Sequence, residues 1–283
     1  MATCTTSISG MNLVFEDEGA GEPLVLFHGS MSSAAYWDVV VPQLLVDHRC
    51  FRLEFPGHGR SDRSPTAAYG IQDQVDVAIQ YLERVTGPSV VIGASAGAGT
   101  AFGVAARRPD LVKGIYSDDA YPGIYTATWI RGNPFVRLFD VVGGVLRSMP
   151  AGFAVAEYAA ALGQARIGPG TMFELQGPAF VAFFAQFSAG TDPAFFDVVT
   201  DPDGFWTTND VADIVRAVRC PVHVAYGDLD RGSLVPVAEI DSLAAAGVDV
   251  SRTHFAGAGH AISPLFPAQS HADICSFLAR LRA

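Results

Sequence analysis

A serine hemmed in by the smallest residues is the most chemically suggestive group in this chain. Ser95 stands in Gly93-Ala94-Ser95-Ala96-Gly97, directly after the β-prone run Val90-Val91-Ile92. A sharp strand-to-helix turn at this point forces the serine backbone into a strained conformation, and tiny neighbours are needed to avoid clashes. The turn leaves an exposed Oγ beside the amino end of a helix, a setting that suits a nucleophile. A hydroxyl is a poor nucleophile at neutral pH, so it needs a base, an acid to orient that base, and donors for the oxyanion.

Seven histidines compete for the base: His28, His48, His58, His223, His254, His260 and His271. His260 is the preferred candidate, because it ends the flexible small-residue loop Ala256-Gly257-Ala258-Gly259 after the last predicted strand. His28 and His58 belong to glycine turns and read as structural. His223 and His254 fall inside predicted strands, and His48 and His271 fall on predicted surface segments. For the acid, Gly227-Asp228-Leu229-Asp230 follows a predicted strand. Either aspartate could orient the imidazole, with Asp230 preferred and Asp228 the alternative. Asp118 and Asp119, just after the strand ending at Ser117, are a further alternative. The oxyanion donors are expected to be the backbone N–H of Ala96 and, from the turn His28-Gly29-Ser30, the N–H of Ser30.

The elements that must position these groups alternate. Strands are predicted at 11–15, 23–27, 50–55, 89–92, 114–117, 222–226 and 250–255. Helices are expected around 37–46 and over 73–86, the latter capped by Asp73 and ended by Gly87-Pro88. Strand alternating with helix implies an α/β fold with a mostly parallel central sheet and helices on both faces. The segment 121–206 breaks this rhythm. It holds no convincing strand but 11 of the 19 phenylalanines, including Phe135, Leu138, Phe139 and Val142, then Phe180, Phe183, Phe184 and Phe187 at helical intervals. It is expected to be a helical insertion over the carboxyl edge of the sheet, between core segments 1–120 and 207–283. Most of its aromatics would pack the insertion itself, and a few would line a cavity for an apolar substrate.

Composition limits the partners. Hydrophobic residues make up 49% of the chain and charged residues 17%, with a formal charge of −11. That balance argues against nucleic acid and against an anionic membrane. The basic residues are Arg apart from Lys113. The cysteines at 4, 50, 220 and 275 are scattered without metal-ligand spacing, so no metal is expected, and free thiols fit a cytoplasmic protein. No signal peptide or membrane-spanning run is visible. Gly93, Gly97 and Gly99 also fit the glycine spacing of short-chain dehydrogenases. Those need a tyrosine four residues before a lysine, and four residues before Lys113 stands Pro109. That reading fails.

Taken together, the motifs resemble the α/β-hydrolase superfamily over nearly the whole chain: His28-Gly29 with Trp37 downstream, Pro56-Gly57-His58-Gly59-Arg60-Ser61-Asp62, Gly93-Ala94-Ser95-Ala96-Gly97, Gly227-Asp228-Leu229-Asp230 and Gly259-His260, all in the family's order. The resemblance implies that the insertion is a cap and that Asp230, the last residue of G-x-x-D, is the catalytic acid. Ala98 departs from the second glycine that many capped members carry, and Ser30 leaves extra room beside the oxyanion hole. The expected function is cofactor-free hydrolysis of a small to medium hydrophobic carboxylic ester through an acyl-enzyme. The alternatives are C–C bond hydrolysis of β-diketone-like substrates, lactone or thioester hydrolysis, cofactor-free lyase activity, or a non-catalytic ligand-binding receptor of the same fold.

Overall fold

The computed structural model describes residues 1–122, 136–201 and 211–282. Strands β1 (Ala2–Ile8), β2 (Met11–Gly19), β3 (Glu22–Phe27), β4 (His48–Leu53), β5 (Ser89–Ala94) and β6 (Val112–Asp118) are followed by a two-residue pair, β7 (Arg166–Ile167) and β8 (Gly170–Thr171), and then by β9 (Val222–Tyr226) and β10 (Val250–His254). Eight of them form one sheet in the order β1-β2-β4-β3-β5-β6-β9-β10. β1, β2 and β4 pair antiparallel, and every pairing from β4 through β3 to β10 is parallel.

The interior strands carry apolar residues without interruption because both of their faces are covered. Along β3, Leu24 and Leu26 point to one face and Val25 and Phe27 to the other, as the two-residue period requires. The first pair packs with Trp37, Val41, Ile274 and Phe277, and the second with Val75, Ala101 and Phe102. The parallel register places the carboxyl ends of β3, β5, β6 and β9 along one edge. Chain reversals at that edge bring residues distant in sequence together.

Several helices flank the sheet: α1 (Val41–Leu44), α2 (Ile71–Tyr81) and α3 (Ala96–Arg107) before the insertion, and α9 (Val211–Ala217), α10 (Val237–Ala245), α11 (Ile262–Leu265) and α12 (Pro267–Arg280) after it. Between β6 and β9 lie α4 (Val136–Ser148), α5 (Val155–Gln164), α6 (Met172–Gln176), α7 (Pro178–Ser188) and α8 (Pro193–Thr200). The described residues between 136 and 200 are thus largely helical, apart from the short β7–β8 pair. Phe135 and the expected boundary at 206/207 lie outside the described residues. The insertion is tied to the core at one edge. The N–H of Asp192 donates to the Gly57 carbonyl at 2.7 Å, the Tyr69 hydroxyl donates to the Asp192 carboxylate at 2.6 Å, and the His58 ring meets Phe195 edge-on at 4.7 Å. None of the described helices is long and apolar enough to cross a membrane.

Three local expectations change. β1 was not foreseen, because Ala2–Ile8 is polar and mostly exposed at the sheet edge, so it carries little apolar pattern. The helix expected around 37–46 breaks into a short 3₁₀ turn at 34–37 and the single turn α1, where Pro42 sits in the first turn. Asp73 does not start α2 but lies in its first turn, and its carboxylate reaches back to the N–H of Gly70 at 2.9 Å, so the helix begins two residues earlier.

Candidate functional site

Ser95 sits between β5 and α3 with φ +49°, a backbone conformation L-residues other than glycine rarely adopt. The strain is held in place by close backbone contacts. A methyl group on Gly97 would overlap the carbonyl oxygens of Phe27 and His28, and one on Gly93 would strike the Ala98 backbone. The first turn of α3 therefore lies directly against the end of β3. A methyl on Gly29 would come within 3.1 Å of the Ser95 Cβ, so the loop after β3 touches the serine itself. The N–H groups of Ser30 and Ala96 have no hydrogen-bond partner among the described residues. Ala96 opens α3, where the intrahelical ladder leaves its N–H free.

Ser95 and His260 line one cavity of about 430 Å³. Its walls are mostly apolar. Met31 and Leu265 come from the core, while Leu138, Phe139, Phe180, Phe183, Phe184 and Phe187 come from the insertion. Arg231 is the one charged side chain among the described lining residues, histidine aside. Five of the insertion's phenylalanines thus face the cavity, and they share it with Tyr36 from the core.

The imidazole partner is where the sequence reading is corrected. His260 Nδ1 lies 2.8 Å from Oδ2 of Asp119, not beside Asp230. Asp119 follows β6 immediately, has φ +51° and is fully buried. Its carboxylate is held from several sides. Oδ1 accepts from the Ser233 hydroxyl at 2.5 Å and from the N–H of Gly227 at 3.4 Å, and Oδ2 accepts from the N–H of Leu234 at 2.9 Å. The loop after β9 thus supplies donors to a carboxylate that belongs to the neighbouring strand. Asp230 is exposed on a 3₁₀ turn at 229–231. Asp228, the alternative, is engaged elsewhere: its carboxylate pairs with His254 Nε2 at 2.7 Å and accepts the N–H of Gly257 at 2.7 Å. These bonds, the Gly257 N–H first, hold its pKa below the ordinary carboxylate value. They also draw the turn toward β10, which leaves Asp230 facing solvent.

Asp118, also offered as an alternative acid, is fully buried and does not meet His260 Nδ1. Its Oδ2 accepts from the Tyr36 hydroxyl at 3.2 Å and from the N–H of Ser263 at 3.2 Å, while Oδ1 has no partner among the described residues. Burial, reinforced by the charge of Asp119, pushes its pKa up to about 6 against the opposing Ser263 hydrogen bonds. The role of the Asp118-Asp119 pair was therefore missed in part. The only sequence signal was two adjacent carboxylates at the tip of a buried strand.

The other histidines divide as follows. His28 and His58 are buried, with ring centroids 5.1 Å apart. His28 Nε2 accepts the N–H of Phe55 at 3.1 Å, which ties the loop after β3 to the end of β4. Burial lowers their pKa values to about 4 and about 3, so both are neutral structural groups over a wide pH range. His223 lies in β9, bonded to Asp273 at 3.0 Å, and His254 ends β10. His48 is buried at the start of β4 rather than on the surface, because the chain enters the sheet there.

A model described as the alpha/beta hydrolase family matches residues 24–275. The (E)-2-((N-methylformamido)methylene)succinate hydrolase of Acinetobacter baylyi is 38% identical over 98 residues, 34% of this chain and 37% of that protein. Among the curated relatives, that match and the two ranked after it span between about a third and a half of the relative. The pimeloyl-[acyl-carrier protein] methyl ester esterase of Sodalis glossinidius is 28% identical over 94% of this chain and 98% of its own. A solved structure from work on carboxylesterases of Nitrososphaera gargenis superposes with a TM-score of 0.79 at 21% identity, covering 99% of both chains.

Proposed function

This chain belongs to the alpha/beta hydrolase family, and on that footing we propose that it hydrolyses small to medium hydrophobic carboxylic esters through a serine acyl-enzyme. Ser95 Oγ attacks the ester carbonyl carbon while His260 takes the hydroxyl proton. Asp119 holds the imidazole through Nδ1, so that its other nitrogen faces the reacting atoms and the imidazolium formed is stabilised. The oxyanion is received by the N–H groups of Ser30 and Ala96. His260 then protonates the departing alcohol, and the C–O bond breaks. Water, deprotonated by His260, attacks the acyl carbon and releases the acid with Ser95 restored. The insertion acts as a cap whose phenylalanines take the apolar part of the substrate. A cytoplasmic setting suits the scattered thiols.

The observation that carries this proposal is that His260, which lines the same cavity as Ser95, bonds at 2.8 Å to the buried Asp119 carboxylate. A second reading keeps the machinery and changes the bond cleaved, since the Acinetobacter relative is named for a succinate derivative rather than an ester. A panel of 4-nitrophenyl esters of increasing acyl length, run beside a phosphonate probe with mass detection, separates the two. Ester turnover and labelling at Ser95 are expected. Ser95→Ala and His260→Ala should each lower kcat by about 10⁴–10⁶-fold. A variant keeping a tenth of the wild-type turnover removes that residue from the mechanism.

A further inference from the structure

We propose that Arg231 makes this cavity selective for esters that carry a second, anionic group, a carboxylate or its equivalent, at a distance from the bond cleaved. The proposal rests on the hydrolase reading of the same cavity and adds a substrate class to it. Away from the Ser95 end, the phenylalanines, Leu138 and Leu265 offer an entering anion nothing in return for its lost hydration, and an anion without a partner is excluded from such surroundings. Arg231 changes that balance at one point, because a guanidinium can take a carboxylate through two parallel N–H donors.

Two features keep this cation in place and available. Its backbone is locked: the N–H of Arg231 donates to the Asp228 carbonyl at 3.0 Å, Gly232 follows at φ +94°, and a methyl on Gly259 would overlap the Arg231 carbonyl oxygen. The turn is thus pressed against the His260 loop. The guanidinium itself is only loosely satisfied. Its ion pair among the described residues runs from Nε to Asp228 at 3.9 Å, while the Asp228 oxygens already serve His254 and the N–H of Gly257 at 2.7 Å. Because His260 takes its carboxylate from Asp119, the turn after β9 is relieved of supplying the acid. It places Arg231 in the cavity lining instead, with a side chain 63% exposed that can turn to an anion at the cavity's mouth. In a chain of net charge −11, a cation at this site attracts what the remaining surface repels.

The test uses Ser95→Ala protein, which keeps esters intact, and calorimetric affinities. Two ligand series sample the unknown distance: monomethyl esters of dicarboxylic acids from succinate to suberate, and O-acetyl esters of ω-hydroxy acids of matching length. Each is compared with its neutral isostere. At least one anionic member is expected to bind about tenfold more tightly than its isostere. Adding Arg231→Ala should remove that preference, Arg231→Lys should keep part of it, and raised salt should weaken it. If no anionic member is preferred, or if the preference survives Arg231→Ala, the proposal is overturned. Turnover of neutral 4-nitrophenyl butyrate by protein with Ser95 intact reports on the hydrolase reading separately, so the two can fail independently.

Discussion

The tips of β6 and β9 lie side by side in the sheet, and each presents two aspartates, yet they do opposite things. At the β6 tip Asp119 is buried, receives three donors besides the imidazole, and sits behind the His260 ring that lines the cavity. At the β9 tip Asp228 bonds outward to His254 and Gly257, and Asp230 stands in solvent. The contrast teaches that a carboxylate's task follows from burial and converging donors rather than from its place in a motif. An acid that orients an imidazole must be desolvated and fixed, and a turn former need only satisfy its own backbone.

The sharpest way to break the comparison is to neutralise one member of each tip. Asp119→Asn should lower kcat by about 10³–10⁴-fold, because the amide no longer holds the imidazole tautomer that accepts the serine proton. Asp230→Asn should change kcat less than about threefold. The reverse ranking, measured on one ester, would return the acid to the β9 tip.

A smaller effect distinguishes the two carboxylates within the β6 tip. Asp118 has a folded-state pKa raised from 3.8 to about 6. The buried acid favours its neutral form, so its contribution to stability is fully present below pH 3.8 and lost as pH rises through about 6. The loss amounts to up to about 3 kcal/mol across that window. Asp118→Asn should flatten this part of the pH–stability curve relative to wild type, measured by urea unfolding from pH 4 to 7. Parallel curves for the two proteins would mean that Asp118 is not the titrating group.

The smallest effect belongs to Asp228, whose bonds join the β9 turn to the end of β10. Asp228→Asn should lower the melting temperature at neutral pH by about 2–4 °C. Its folded-state pKa is depressed, so its contribution is present above the unfolded carboxylate pKa and lost as pH falls through the folded one. The difference between variant and wild type should therefore shrink in acid. A difference that stays constant down to pH 3 would assign the effect to shape rather than charge.

Much of this architecture was legible beforehand. Val90-Val91-Ile92 and Leu24–Phe27 are apolar on both faces, which only a covered parallel strand requires, and the small residues around Ser95 reveal a turn where nothing larger fits. The choice of acid was not legible. Asp118-Asp119 and Asp228-Leu229-Asp230 both follow buried strands, and the donors from Gly227, Ser233 and Leu234 that converge on Asp119 come from the neighbouring strand's loop, more than a hundred residues away in the chain. Neither was Arg231, which is unremarkable in sequence because its meaning depends on the apolar walls of α4 and α7 opposite. The edge strand β1 was hidden for a related reason: a strand exposed at an edge has no apolar face to advertise.

The backbone contacts at Gly93 and Gly97 have a bearing on how this protein can be altered. They seat the Ser95 hydroxyl by main chain pressed on main chain, with no large side chain acting as a spacer between the two strands and the helix. Exchanging Phe180, Phe183 or Phe187 therefore reshapes the chamber while leaving that seat where it is. Tolerance to change is divided by kind of contact: the walls can be redrawn one ring at a time, and the frame admits not even a methyl.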